Sequence, residues 1–212
     1  MTTALLEKHK TKMPEAAYAQ TEGIEFLWTV DAFDKAADVG VFGYDTRLEL
    51  IQGRIFEIVG QGPRHSTLAS QIADMLREAA QKQFAVREEK PFQIALDGEP
   101  IPDIMLLNGR QLDYYDRLPG PEDVRLLIEV SSTTAAFDLG TKSLLYAQAG
   151  IGDYWVVVVK ENAIVVHRDP SSEGYQSIAT LSGPDMLSPL VMPEVAWTIT
   201  ELLGVPKTPE EN

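Results

Sequence analysis

Val124-Arg125-Leu126-Leu127-Ile128-Glu129-Val130 decides how the chain is read. A nearly continuous aliphatic run of this length, with no polar residue at every second position, is what a strand covered on both faces requires. On its N-terminal side Asp103-Ile104-Met105-Leu106-Leu107 reads as a second buried strand, set off by Pro100 and Pro102. Phe92–Leu96 reads as another, ending at the turn Asp97-Gly98. Downstream, Leu139, Leu144, Leu145 and Tyr146 predict a helix from about Asp138 to Ala149, stopped by Gly150. Tyr154–Val159 and Ala163–Arg168 pair around Glu161-Asn162, Tyr175–Leu181 adds a strand, and Thr198–Leu203 a terminal helical turn.

Toward the N-terminus, Leu68, Ile72, Met75, Leu76, Ala79, Ala80 and Phe84 recur at helical spacing after Pro63 and Ser66. Arg47–Ile51 and Arg54–Val59 flank Gln52-Gly53, the pattern of a hairpin with a two-residue turn. Thr29 is placed to cap a short helix carrying Val30, Phe33, Ala36 and Ala37, which stops near Gly40. The sum is an α/β or α+β fold, with a mixed sheet of six to eight strands and a helix on either side.

The 212 residues suffice for one domain, here taken as 23–206, with a polar arm at 1–22 and a frayed tail at 207–212. The absence of cysteine excludes disulfides, thiolate metal sites and cysteine nucleophiles. Lysine and arginine total 18 against 32 acidic residues, a net charge of −14. Such a surface repels phosphate backbones at long range, so any action on nucleic acid requires a local basic group, a metal or both. No apolar run approaches a membrane span, and no apolar segment follows Lys8, Lys10 and Lys12 as in a signal peptide. The expectation is a cytoplasmic protein with no membrane contact.

Chemistry enters with carboxylates inside apolar strands. Asp103 opens one strand, Glu129 interrupts another, and Glu49 sits in Leu48-Glu49-Leu50-Ile51. A buried carboxylate is costly unless paired, hydrogen-bonded or metal-bound. Three of them on separate strands can converge on a hard divalent ion, for which magnesium and manganese are the natural candidates.

These residues resemble a known pattern. Pro102-Asp103 on one strand and Glu129-Val130 on the next are similar to the core of the PD-(D/E)xK nucleases. The likeness narrows to the Uma2 (DUF820) family of restriction-endonuclease-like proteins. It rests on Trp28-Thr29-Val30, the run from Arg47 to Ile55, Pro63-Arg64-His65, Pro102-Asp103-Ile104, Ile128-Glu129-Val130-Ser131, Asp138-Leu139-Gly140-Thr141-Lys142, and Tyr146 to Val157. It spans residues 27 to 203. The resemblance implies a restriction-endonuclease-like mixed sheet flanked by helices, and a Mg2+- or Mn2+-dependent endonuclease that hydrolyses DNA. Asp103, Glu129 and the main-chain carbonyl of Val130 would hold the ion, and Glu49 would add a further carboxylate. Two positions depart from the pattern. Ser131 stands where the motif places lysine, and the resemblance implies that Lys142, on the following helix, takes over its role beside the attacking water and the phosphate. Ser132-Thr133 stands where a proline-containing turn is common.

Each residue also has a plainer reading. Glu129 can pair with Arg125, Glu49 can face solvent, and Lys142 can form an i,i+4 surface pair with Asp138. His65, without a second histidine at ligand spacing, is a possible substrate contact. Tyr154 and Trp155 read as core, and Tyr114 and Tyr115 lie in a loop where they can touch a ligand. The alternative function is a catalytically silent nuclease fold serving as a binding or dimerisation module, and a hydrolase of smaller phosphorylated substrates is a third. Cutting both strands would be simplest for a homodimer, with Tyr154–Val159 as a candidate apolar surface.

Overall fold

The structure, a computed structural model, describes residues 24–43, 45–58 and 62–204. The expected arm at 1–22 and tail at 207–212 lie outside the described residues, as does Val59. Helix α1 (Val30–Asp38) starts at Thr29, whose hydroxyl accepts from the Ala32 N–H at 3.3 Å. Strands β1 (Leu48–Ile51) and β2 (Arg54–Glu57) form the expected hairpin. Both turn residues, Gln52 (φ 49°) and Gly53 (φ 74°), are left-handed, as a two-residue turn matching the strand twist requires. A Cβ at Gly53 would stand 2.6 Å from that of Leu27.

Helix α2 (Pro63–Ala80) follows, with proline in its first turn. It ends earlier than its periodicity indicates. Gln81 and Lys82 turn left-handed, the chain reverses, and Phe84 opens strand β3 (Phe84–Glu88) instead of closing the helix. Phe92–Leu96 is not a regular strand. Its N–H groups go to loop carbonyls, Phe92 to Pro100 at 3.2 Å, Gln93 to Pro119 at 3.0 Å and Ile94 to Gly98 at 3.0 Å. The Asp97-Gly98 turn folds the segment back on itself rather than along a neighbour. Paired bonds between Leu50 and Glu99, at 3.2 and 2.7 Å, then lash the β1–β2 hairpin to this loop. That lashing carries Glu49 to the start of β4 (Ile104–Asn108).

One mixed sheet of six strands runs β3-β4-β5-β6-β7-β8, with β5 (Val124–Ser131), β6 (Asp153–Val158), β7 (Ala163–Ser171) and β8 (Gly174–Ser182). Only β5 and β6 are parallel. The connection between them is helical, as a parallel pair demands: α3 (Ala135–Phe137), a π-helical turn over Asp138–Lys142, and α4 (Ser143–Gln148). The helix therefore starts before Asp138 and carries one wide turn. A short ribbon, β9 (Met186–Leu187) with β10 (Trp197–Thr198), and α5 (Ile199–Leu202) complete the order.

Two apolar layers sandwich the sheet. Leu126, Ile128, Val130, Trp155 and Val157 pack with Ile72 and Leu76 of α2. Leu127, Tyr154 and Val156 pack on the other face with Leu145 and Tyr146 of α4. Alternation along β5 thus sends Glu129 toward α4. Tyr154–Val158 is fully interior, flanked by β5 and β7, so this run offers no dimerisation surface. Arg125 is exposed and donates to Asn108 at 2.7 Å, leaving Glu129 to another partner.

Candidate active site

Five side chains named from the sequence meet in one cleft of about 510 Å3: Glu49, His65, Asp103, Glu129 and Lys142. They come from β1, α2, the residue before β4, β5 and the π turn. All are buried, Glu129 to 4% and Asp103 to 7% exposure. Val130 also lines the cleft.

Lys142 is the hub. Its ammonium lies 3.0 Å from Glu49 Oε2 and 3.0 Å from Glu129 Oε1. The i,i+4 surface pair with Asp138 is not formed. Glu49 does not face solvent; its Oε2 also accepts from the Ile101 N–H at 3.2 Å. Glu129 Oε1 accepts from the Tyr146 hydroxyl at 3.0 Å, one turn beyond Lys142, and Oε2 faces the Asp103 N–H at 3.4 Å. Asp103 Oδ2 accepts from the Val130 N–H at 2.6 Å and lies 3.0 Å from His65 Nε2. The two carboxylates are thereby laced across neighbouring strands, Glu129 by the backbone of Asp103 and Asp103 by the backbone of Val130, the residue after Glu129. His65 supports Asp103, and its Nδ1 has no hydrogen-bond partner among the described residues. Tyr114 and Tyr115 stand apart. Tyr114 is buried with its hydroxyl on the Asn108 carbonyl, and Tyr115 is exposed; neither lines the cleft.

Two contributors are new. Asp138 is buried and accepts from Ser131 Oγ and, at 2.6 Å, from Thr134 Oγ1. It fastens the loop leaving β5, using the very serine that stands in the motif's lysine position. Tyr146 is the second; its spacing four residues after Lys142 was the available signal. A π turn widens the helix by one residue and is a frequent feature of functional sites. Here it carries Lys142 inward.

The charge balance follows. Burial pushes the Glu129 carboxyl well above its ordinary range; Lys142 works against that, while Asp103, Asp138 and Glu49 add to it. Burial disfavours the charged form of Lys142, but Glu129 and Glu49 outweigh it and hold the ammonium above its usual range. Burial, with Glu129 beside it, likewise keeps Tyr146 a neutral donor. Glu129 thus sits among three further carboxylates with one lysine beside it, a crowding of negative charge that a further cation would relieve. Among the described residues no group of three or more His, Asp or Glu side chains is arranged to hold a metal ion. An oxygen pair such as Asp103 with Glu129 nevertheless suits magnesium, which keeps several waters and binds through one or two carboxylates.

Comparison with known proteins agrees with this architecture. No curated protein matches the chain. The crystal structure of a "putative nuclease belonging to DUF820" from Anabaena variabilis superposes with a TM-score of 0.66 at 19% identity, covering 84% of this chain and 98% of that one. That likeness establishes a nuclease-like fold. The sequence profile of Uma2, described as "Putative restriction endonuclease", matches residues 30–200. A match over so much of the chain makes the protein a member of the Uma2 family.

Proposed function

We propose that the cleft is the active site of a Mg2+- or Mn2+-dependent DNA endonuclease of the PD-(D/E)xK type. Asp103, Glu129 and the Val130 carbonyl would hold the ion. Once bound, the ion would polarise a phosphoryl oxygen and lower the pKa of a coordinated water. The chain's own groups do the rest. Lys142 supplies the positive charge that Ser131 cannot, and its protonated state is secured by its two carboxylate partners. Glu49 steers that ammonium by holding one side of it, so its part is exerted through Lys142. His65 and the Val130 N–H fix the Asp103 carboxylate before substrate arrives, which spares reorganisation during the reaction.

The observation that carries this reading is the 3.0 Å approach of Lys142 to Glu129 in a cleft shared with Asp103. It resembles the acid, acid and lysine grouping of such nucleases, with the lysine delivered from a helix. The test is nicking of supercoiled plasmid by purified protein in Mn2+ or Mg2+. Cleavage lost in Asp103→Ala and Lys142→Met supports the reading; no cleavage with either metal overturns it. The second reading, a silent nuclease fold used as a binding or dimerisation module, is favoured by the −14 charge. Metal-independent DNA binding without cleavage would select it. A two-site homodimer for double-strand cutting would be assembled through a surface other than β6.

A further inference from the structure

Resting on the nuclease reading, we infer that the cleft takes single-stranded DNA, with one base laid against Phe137 and Phe56. Both rings line the cleft and are only partly buried. Their centroids are 5.1 Å apart at 45°. Phe137 also lies beside the catalytic cluster, with the Lys142 ammonium 5.9 Å from its ring centroid. An aromatic surface and a phosphate-seeking cation therefore sit side by side, on the scale of one nucleotide.

An intact duplex has no use for this arrangement. It presents phosphates and sugars outward and keeps its base faces stacked, so a duplex nuclease needs only the phosphate to enter. A single strand offers unstacked bases, and its binding proteins pair aromatic rings with a cationic backbone track. The available cations also fit a short track. Arg64 at the start of α2 lines the cleft and has no ion-pair partner among the described residues, and Arg47 on the rim shares its charge with Glu89 at 3.0 Å. Two arginines and a lysine can follow a few phosphates. On a chain of net charge −14 they do not make the broad basic face a duplex calls for. A cavity of about 510 Å3 has the volume of a small-ligand pocket, enough for a nucleotide.

The rings also pack on the core, so the test separates stacking from folding. A 12-nucleotide single strand carrying 2-aminopurine, and the same sequence as duplex, are titrated with calcium in place of magnesium. The expected result is at least tenfold tighter binding of the single strand, with the fluorophore quenched. Phe137→Leu, which keeps apolar volume but removes the ring face, should weaken single-strand binding about five- to hundredfold and abolish the quench. Phe137→Tyr should restore both, and Phe56→Leu should repeat the loss. Duplex binding equal to or tighter than the single strand overturns the inference, as does full affinity in Phe137→Leu. Binding is read apart from cleavage: a protein that shows the stacking signature yet cuts nothing in Mg2+ or Mn2+ keeps this inference and removes the nuclease reading.

Discussion

His65 Nε2 stands 3.0 Å from Asp103 Oδ2, joining the first turn of α2 to the residue just before β4. With the carboxylate ionised, Nε2 is the donor, and it shares Oδ2 with the Val130 N–H. His65 thus orients a proposed metal ligand. Groups in that position commonly change metal affinity by about 10–100-fold when removed. His65→Ala should weaken Mn2+ binding by that order in calorimetry while the far-UV spectrum stays unchanged. Unaltered affinity would reduce His65 to packing.

Metal itself should stabilise the protein. Repulsion among Glu49, Asp103, Glu129 and Asp138 is offset by one lysine, so a cation bound by the folded state gains what the unfolded chain cannot offer. At a hundredfold excess over Kd the linkage amounts to about 2.7 kcal/mol, or roughly 5–10 °C for a domain of this size. Scanning calorimetry in millimolar Mg2+ or Mn2+ should record that rise, and Asp103→Ala should erase it. An equal rise in the variant would place the ion elsewhere.

Much of this was legible because the decisive signals are local. Apolar continuity in Val124–Val130 reflects burial on both faces, and Gln52-Gly53 can hardly be other than a tight turn. Glu129 and Asp103 stood out because carboxylates do not belong in apolar strands without partners. Resemblance supplied Lys142, which periodicity alone would have left on the surface. What remained hidden depends on contacts distant in sequence. The end of α2 is set by left-handed Gln81 and Lys82, not by the apolar repeat that runs on to Phe84. Phe92–Leu96 has strand composition but finds its hydrogen-bond partners in loops. Asp138 has the spacing of a surface partner for Lys142, and only the fold shows that it faces Ser131 and Thr134 instead.

Glu99 predicts a pH dependence separate from the cleft. Burial, with Asp34 nearby, pushes its carboxyl up to about 7, and its Oε2 has no hydrogen-bond partner among the described residues. The folded state therefore binds a proton more tightly than the unfolded chain. Its stabilising effect is complete below about 4.5 and is lost as pH rises toward 7. At about 1.36 kcal/mol per unit the full shift would reach ~3 kcal/mol, and solvent screening brings it to roughly 1–2. Glu99→Gln, which cannot ionise, should be more stable than the parent by that amount at pH 8 in urea unfolding. The gap should shrink by pH 5 and close below about pH 4. A gap independent of pH would mean that the substitution acts through packing.

Lys142→Met gives the sharpest test of the site because two consequences must appear together. Losing a positive charge aimed at the phosphate typically costs about 3 kcal/mol in the transition state, roughly a hundredfold in rate. The same change leaves Glu49 and Glu129 facing one another in the interior with their shared counter-ion gone. Breaking a buried pair from one side costs about 3–5 kcal/mol, although uptake of a proton by Glu129 can absorb part of it. The variant should therefore melt well below the parent at pH 8 and recover on acidification or on addition of Mn2+, while cleavage stays low throughout. Adding Glu49→Gln to Lys142→Met removes one of the stranded charges and should restore stability without metal, again without restoring cleavage. If the single variant keeps both its melting temperature and its nicking rate, Lys142 is neither the counter-ion nor the catalytic cation. If the double variant regains stability but remains inactive, the charge of Lys142, and not merely the fold it supports, is what cleavage needs.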